Sequence, residues 1–349
     1  MLSRICYTKA MIRRIKNGKT IWIFVLILAL TGCFDTAPEP VSATVFAMDT
    51  VTLLTVYGEE AEEAVRLARA EILRLDRLFS VTRVESDIGR LNAAGGETLL
   101  VSAETAEVLD LALELWAETE GRFSPGLYAL QRAWGFTTEE NRVPAEEEIR
   151  ALLESVDLGG IHLEGLYVTV PAGLELDLGA IAKGYVGDRL LALLTELGTE
   201  AAIFSLGGDV IALGGHPGGG PWRVAIRNPL GEGFLGTVEL WGGAVNTSGS
   251  YERRFVAEAG EVYHHILDPE TGRPARSGLV SVTVVSREGA RGDAWSTALF
   301  VMGLEEGLAR VAEIEDLEAI FVTEGGGIYV TAGLEGVFLP ERDVTWVRV

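Results

Sequence analysis

The sequence predicts an α+β fold, with mixed and antiparallel sheets and flanking helices. Helix-like and strand-like segments are interspersed, and many strand pairs are joined by short turns, which favours antiparallel pairing over parallel crossovers. No Gly-x-Gly-x-x-Gly leads from the first strand into a helix, so a doubly wound dinucleotide fold has no support. The chain holds 42 glycines in 349 residues, well above the usual share of about 7%. With only 11 prolines and 48% hydrophobic residues, that glycine content points to tight turns and close backbone approach rather than disorder.

The elements follow in order. Thr50 to Tyr57 is β-branched and apolar, a strand. Val65, Ala68, Ile72, Leu75 and Phe79 recur at spacings of three and four, which predicts an amphipathic helix. Helices follow over Ala103 to Thr119 and Pro144 to Ser155, the latter with acids in its first turn. Gly160 to Leu163 and Tyr167 to Val170 form a strand pair. Asp177 opens a loop into a helix that runs to Leu197 and closes at Gly198. Strands are expected at Ala201 to Ser205, Trp222 to Arg227, Thr237 to Trp241, Tyr263 to Ile266 and Leu279 to Ser286. Helices over Asp293 to Met302 and Glu305 to Ile314 precede final strands at Ala319 to Thr323 and Ile328 to Thr331.

Residues 1–32 read as a targeting segment. Arg4, Lys9, Arg13, Arg14, Lys16 and Lys19 form a basic stretch without acids, and Ile21 to Leu30 is an apolar run of ten residues. That run is shorter than the roughly 20 residues needed to span a bilayer. It leads into Leu30-Thr31-Gly32-Cys33, which resembles the lipobox of bacterial lipoproteins, with Cys33 the acylated residue; an ordinary secretory signal is the plainer alternative. The expected organisation is a lipoprotein signal peptide over 1–32, a tether over 33–42 and one domain over 43–349. Such a protein is lipid-anchored on the extracytoplasmic side of a bacterial membrane, either the periplasmic face of the inner membrane or the outer leaflet of the cell membrane.

Cys6 and Cys33 are the only cysteines, so the mature domain has no internal disulfide, and a metal site must use oxygen or histidine. The formal charge is −22; loss of residues 1–32 removes six positive and no negative side chains, leaving −28. Such a surface repels nucleic acid, which is excluded as a partner. A polyanionic ligand would need local positive potential from a metal ion, a helix N-terminus or a few cations.

Lys183 is the only lysine after residue 32, against 22 arginines. It lies in Asp177-Leu178-Gly179-Ala180-Ile181-Ala182-Lys183, where a loop enters a helix. Free N–H groups and the positive dipole end favour anionic oxygens there. A lysine opposes that dipole and becomes favourable if a phosphate sits between. Asp293 and Thr297, four apart, share a helix face with Ser296 beside them. They suit a partial Mg²⁺ shell, although spacing alone favours Asp293 as a helix cap. His264 and His265 end a strand ahead of a tight Asp268-Pro269-Glu270-Thr271-Gly272 turn. Adjacent strand residues point to opposite faces, so at most one histidine faces a given pocket. Ser205 to Asp209 and Asn246 to Tyr251 read as glycine-rich turns suited to backbone contact with a ligand.

In order, these segments resemble the ApbE-like flavin transferase family. The blocks are Met48-Asp49-Thr50, Leu78-Phe79-Ser80 with Glu85-Ser86-Asp87 and Arg90-Leu91-Asn92, Gly121 to Phe136, Asp177 to Asp188, Ser205 to Asp209, Thr247 to Tyr251, His265 to Gly272 and Asp293 to Thr297. The resemblance spans nearly the whole mature chain. It implies an ApbE-like single domain that cleaves FAD at the diphosphate, moves FMN onto a threonine or serine hydroxyl of a client protein and releases AMP. Mg²⁺ is implied as the cofactor, and the clients as membrane-associated redox proteins carrying a Thr/Ser flavinylation motif.

Carried over by position, the metal ligands are the Ala180 carbonyl, Asp293, Thr297 and Ser296. FAD contacts are Met48, Thr82, Arg122, Phe123, Ser124, Asp177, Lys183 and the Leu267 backbone, and His265 is the base or nucleophile. Thr82 stands where many relatives have an aromatic residue, and Ser124-Pro125-Gly126-Leu127-Tyr128 replaces the usual Asp-Pro-Thr-Val-Gly. Two competing readings are an Mg²⁺-dependent FAD pyrophosphatase giving FMN and AMP, and a flavin-binding lipoprotein without turnover.

Overall fold

Nine strands lie side by side in the order in which the chain makes them: β1 (Val41–Ala47), β2 (Thr50–Tyr57), β3 (Ala201–Leu206), β4 (Asp209–Leu213), β5 (Gly243–Gly249), β6 (Leu279–Ser286), β7 (Leu317–Thr323), β8 (Ile328–Thr331) and β9 (Thr345–Val347). Neighbours pair antiparallel except β8 and β9, which are parallel. The computed structural model describes residues 39–138 and 140–348, so the signal peptide expected over 1–32 and the lipidation site Cys33 lie outside the described residues. The α+β class expected from the short turns is the one observed.

The elements predicted from hydrophobic period occur close to their expected bounds; Leu279–Ser286 and Ile328–Thr331 coincide with them. Strands β4 and β5 were not anticipated. The Gly, Ser, Thr and Asn content of β5 reads as loop, but β5 pairs with β4 on one side and β6 on the other, and central burial overrides weak strand propensity. Strand β1 begins at Val41, inside the segment expected to be tether.

Met48 and Asp49 join β1 to β2, with φ of 52° and 53° and Ala47 paired to Thr50. Two left-handed central residues give the turn whose twist matches a hairpin, at a steric cost for non-glycine residues. The Met48 N–H donates to Asp76 Oδ1 at 2.7 Å, which offsets that cost and fixes the turn.

Helices α1 (Ala61–Phe79), α2 (Asp87–Ala93), α3 (Ala103–Glu118), α4 (Tyr128–Trp134), α5 (Glu146–Leu153) and α6 (Ala182–Glu196) all lie between β2 and β3; α7 (Gly289–Met302) and α8 (Leu304–Val311) lie between β6 and β7. The larger core packs α1, α6 and α7 on one sheet face, with Ala202, Phe204, Val282, Val284, Ala319 and Phe321 pointing into it. The alternate residues Ala201, Ile320 and Val322 point to the other face. There they meet a three-stranded sheet of Trp222–Arg227, Phe234–Leu240 and Phe338–Pro340. The main sheet is thus covered on both sides, which is why its strands read as apolar runs.

Helix α7 starts four residues earlier than expected, and Asp293 is not its cap. That task falls to Asp188 of α6, whose carboxylate accepts the N–H groups of Gly289 at 2.7 Å and Ala290 at 2.8 Å. Burial pushes the Asp188 carboxyl up to about 6 against the pull of those two bonds. Asp293 is thereby moved into the first turns, facing α6. The two helices touch backbone to backbone: a Cβ on Gly184 would stand 2.0 Å from the Gly289 carbonyl oxygen.

We expect Gly184→Ala to force α6 and α7 apart and to lower stability by about 1–3 kcal/mol, read as a lower urea midpoint. An unchanged midpoint would mean that the close approach is not needed.

Candidate functional site

The starts of α6 and α7 lie together beside the ends of β4 and β5, and the polar side chains converge there. Lys183, in the first turn of α6, donates to Asp293 Oδ1 at 3.0 Å and Oδ2 at 3.1 Å, and to the Gly179 carbonyl at 3.3 Å. Its ammonium also lies 3.3 Å from Asp209 Oδ2, an ion contact outside hydrogen-bond geometry. The Gly184 N–H donates to Asp293 Oδ2 at 3.1 Å, and the Thr247 N–H donates to Asp209 Oδ1 at 3.0 Å. Two carboxylates thus lie against the Lys183 ammonium at this helix start.

A hydroxyl cluster adjoins this pair. Ser248 Oγ of β5 lies 2.8 Å from Ser296 Oγ and 3.0 Å from Thr297 Oγ1, and Ser296 also donates to the Asp293 carbonyl at 2.8 Å. Ser296 is fully buried, one layer behind Thr297, which lines the cavity.

Burial works against the Lys183 charge, but Asp293 and Asp209 outweigh it and raise its pKa. Burial pushes the Asp209 carboxyl up; Lys183 opposes the shift and Asp293 adds to it. Counted as ions, two carboxylates and one ammonium leave one negative charge at the centre of the cluster.

A single cavity of about 760 Å³ runs past these groups. Lys183, Ala180, Asp293 and Thr297 line one part, His265 and Leu267 another, and Met48, Thr82, Arg122, Phe123, Ser124 and Asp177 the remainder. Every candidate residue among the described ones except Ser296 therefore meets one volume. The Phe123 ring is 1% exposed and belongs to the core, so it forms an inner wall. Arg122 is held by Glu270 at 3.2 Å and Glu306 at 3.4 Å. Asp177 Oδ1 accepts the Gly179 N–H at 2.8 Å, and burial pushes its pKa up.

The two histidines part as strand geometry requires. His264 bonds the Ala275 carbonyl through Nε2 at 3.0 Å and sets its ring edge-on to Phe300. His265 faces the cavity, and its Nδ1 is buried without a partner. Burial, then the nearby Arg253 charge, pushes its pKa down to about 3, so the imidazole is neutral at physiological pH. The expected turn follows, with Gly272 N–H donating to the Asp268 carbonyl at 2.8 Å and Trp134 Nε1 donating to the Gly272 carbonyl at 2.9 Å.

Asp209, Ser248, Glu252 and Arg253 also belong to this site and were not picked out from the sequence. Asp209 carried a readable signal: it is a carboxylate opening the otherwise apolar run Val210 to Leu213, and it is 2% exposed. Ser248 was hidden in a segment that reads as a turn and folds as strand β5.

Residues 48–321 match the model of the ApbE family. An FAD:protein FMN transferase of Klebsiella pneumoniae (strain 342) is 34% identical over 291 residues, 82% of this chain and 90% of that protein. The ApbE protein of Thermotoga maritima superposes with a TM-score of 0.81 at 32% identity, covering 87% of this chain and 100% of that one. The flavin transferase ApbE from Vibrio cholerae gives a TM-score of 0.77 at 28% identity, covering 86% and 99%. With the match running from the β1–β2 turn through β7, and with the blocks that carry it gathered around one cavity, this chain belongs to the ApbE family.

Proposed function

We propose that this chain is an FAD:protein FMN transferase that moves FMN from FAD to a threonine or serine hydroxyl of an acceptor protein and releases AMP. The observation that carries the reading is the meeting of His265 with the Lys183–Asp209–Asp293 cluster along one cavity. A diphosphate bound between them would have charge-bearing groups on one side and a neutral base on the other. The acceptor oxygen forms a bond to the FMN phosphorus, the bond from that phosphorus to the bridging oxygen breaks, and AMP leaves with that oxygen. His265, uncharged on the cavity wall, takes the hydroxyl proton. Phosphoryl transfer depends mainly on positioning and charge neutralisation, which suits a site built of fixed charges.

The donor set fits Mg²⁺. Among the described residues no three His, Cys, Asp or Glu side chains gather to form a metal cage. The oxygens present are Asp293, Asp209 Oδ2, which lacks an aligned hydrogen-bond donor, and the Thr297 hydroxyl, with the Ala180 carbonyl on the same cavity wall. Hard oxygen donors with room for water and phosphate are what Mg²⁺ takes. When bound there it would neutralise the surplus negative charge and polarise phosphoryl oxygens. Asp293 would hold it, and Lys183 would have to yield part of its present contact.

A lipid anchor at Cys33 would confine the enzyme and a membrane-associated redox client to one surface, which raises their effective concentration.

The direct test is mass spectrometry of a threonine-containing acceptor fragment after incubation with FAD and Mg²⁺. We expect an FMN-sized gain, lost with EDTA and restored by excess Mg²⁺. FMN and AMP without a labelled fragment would mark a pyrophosphatase, and binding without AMP a flavin carrier. His265→Ala should lower transfer by about 100- to 10,000-fold while FAD binding persists; near-normal transfer would remove the imidazole from the chemistry.

The His265 shift also sets a pH dependence. Its folded pKa of about 3 lies below the unfolded value of about 6.5. The unfolded chain therefore binds more protons between these values, and stability falls as pH drops through that window. In urea unfolding from pH 7 to 4, the wild-type advantage over His265→Asn should shrink with acidification. A constant difference would show that the buried imidazole is not the group responsible.

A further inference from the structure

Three cations line the cavity, Arg122, Lys183 and Arg253, and two of them are already matched to acids. Lys183 is bound to Asp293 and lies against Asp209, and Arg122 lies between Glu270 and Glu306. Among the described residues no carboxylate comes within ion-pair distance of Arg253, and its guanidinium makes no hydrogen bond. Among the described residues Arg253 is thus the one cation on the cavity wall without an acidic partner.

The Arg253 backbone is held beside His265. Its carbonyl accepts the His265 N–H at 3.0 Å, the rung that continues the pairing of Arg254–Val256 with Val262–His264. The residue that faces the cavity as a free cation is thus tied to the backbone of the residue that faces it as a neutral base. Its charge reaches His265, Asp177 and Glu252, all on the cavity wall.

We infer that Arg253 is the diphosphate-binding guanidinium of this cavity, its fork taking non-bridging phosphate oxygens of the dinucleotide beside His265. This rests on the flavin-transfer reading above and assigns to Arg253 the free-cation role that the sequence suggests for Lys183. A guanidinium suits it: it is planar, permanently charged and weakly hydrated, and its parallel N–H groups match two phosphate oxygens. An ammonium bonded to two carboxylate oxygens has little charge left to offer. In this arrangement Lys183 organises the carboxylates and Arg253 meets the ligand's phosphates from the His265 side.

The test compares full-length wild type with R253Q and R253K, titrated with FAD, ADP and riboflavin at fixed Mg²⁺, with FMN transfer assayed in parallel. R253Q should weaken ADP and FAD binding by about 10- to 100-fold, the range for a lost hydrogen bond to a charged group, and leave riboflavin affinity unchanged. R253K should recover part of the loss. Unchanged ADP and FAD affinity in R253Q would overturn the inference, and so would an equal loss for riboflavin, which lacks phosphate and would then report a damaged cavity. A wild type that binds ADP through Arg253 but transfers no FMN would sink the transferase reading and leave the contact standing. A wild type that binds neither FAD nor ADP would overturn both.

Discussion

One ammonium joins three elements. Lys183 sits on α6, Asp209 opens β4 and Asp293 lies in α7, and the bonds between them hold the helix starts against the sheet. Each charge alone would be costly: a buried carboxylate lacks solvation, and a lysine at a helix start opposes the dipole. Together they relieve one another, and loss of one partner from such a buried set leaves an uncompensated charge. The backbone contact at Gly184 and Gly289 sets how near the helices come, and the Gly184 N–H adds a third donor to Asp293. The positions of Thr297, Ser248 and the cavity wall follow from this clamp.

The same cluster answers the electrostatic problem of a strongly acidic protein. A body of net charge −22 repels a diphosphate at long range, so attraction has to be local. Under the proposed function a divalent ion held by these carboxylates would offset their charge, and the arginine beside His265 stays unmatched. His265 itself, kept uncharged by burial and by that arginine, adds no positive charge of its own but can accept a proton.

Much of this was legible in the residues because the relevant signals are local. The helical period of Val65 to Phe79, the β-branched run at Leu279 to Ser286 and the Asp268 to Gly272 turn all fold as their patterns require. The isolated lysine and the Asp293/Thr297 spacing pointed to groups that the fold gathers on one cavity wall. What failed depended on tertiary partners. Strand β5 is rich in small polar residues and becomes a strand only because β4 and β6 flank it. Asp293 looked like a cap because the true cap, Asp188, lies 101 residues away in sequence from Gly289. The two carboxylates beside Lys183 were not legible because they come from elements that only the fold brings near.

The order of the nine strands has a further consequence. Because each strand neighbours the next one in the sheet, everything from Gly58 to Glu200 is suspended between two adjacent rungs of the ladder, β2 and β3. That excursion supplies Thr82, Arg122, Ser124, Asp177 and Lys183 to the cavity, while Ser248, His265 and Asp293 come from the part that follows. The cavity wall is thus shared between an excursion that leaves the ladder and a stretch that builds it. A length change in the first would leave the strand pairing that keeps the second in register untouched.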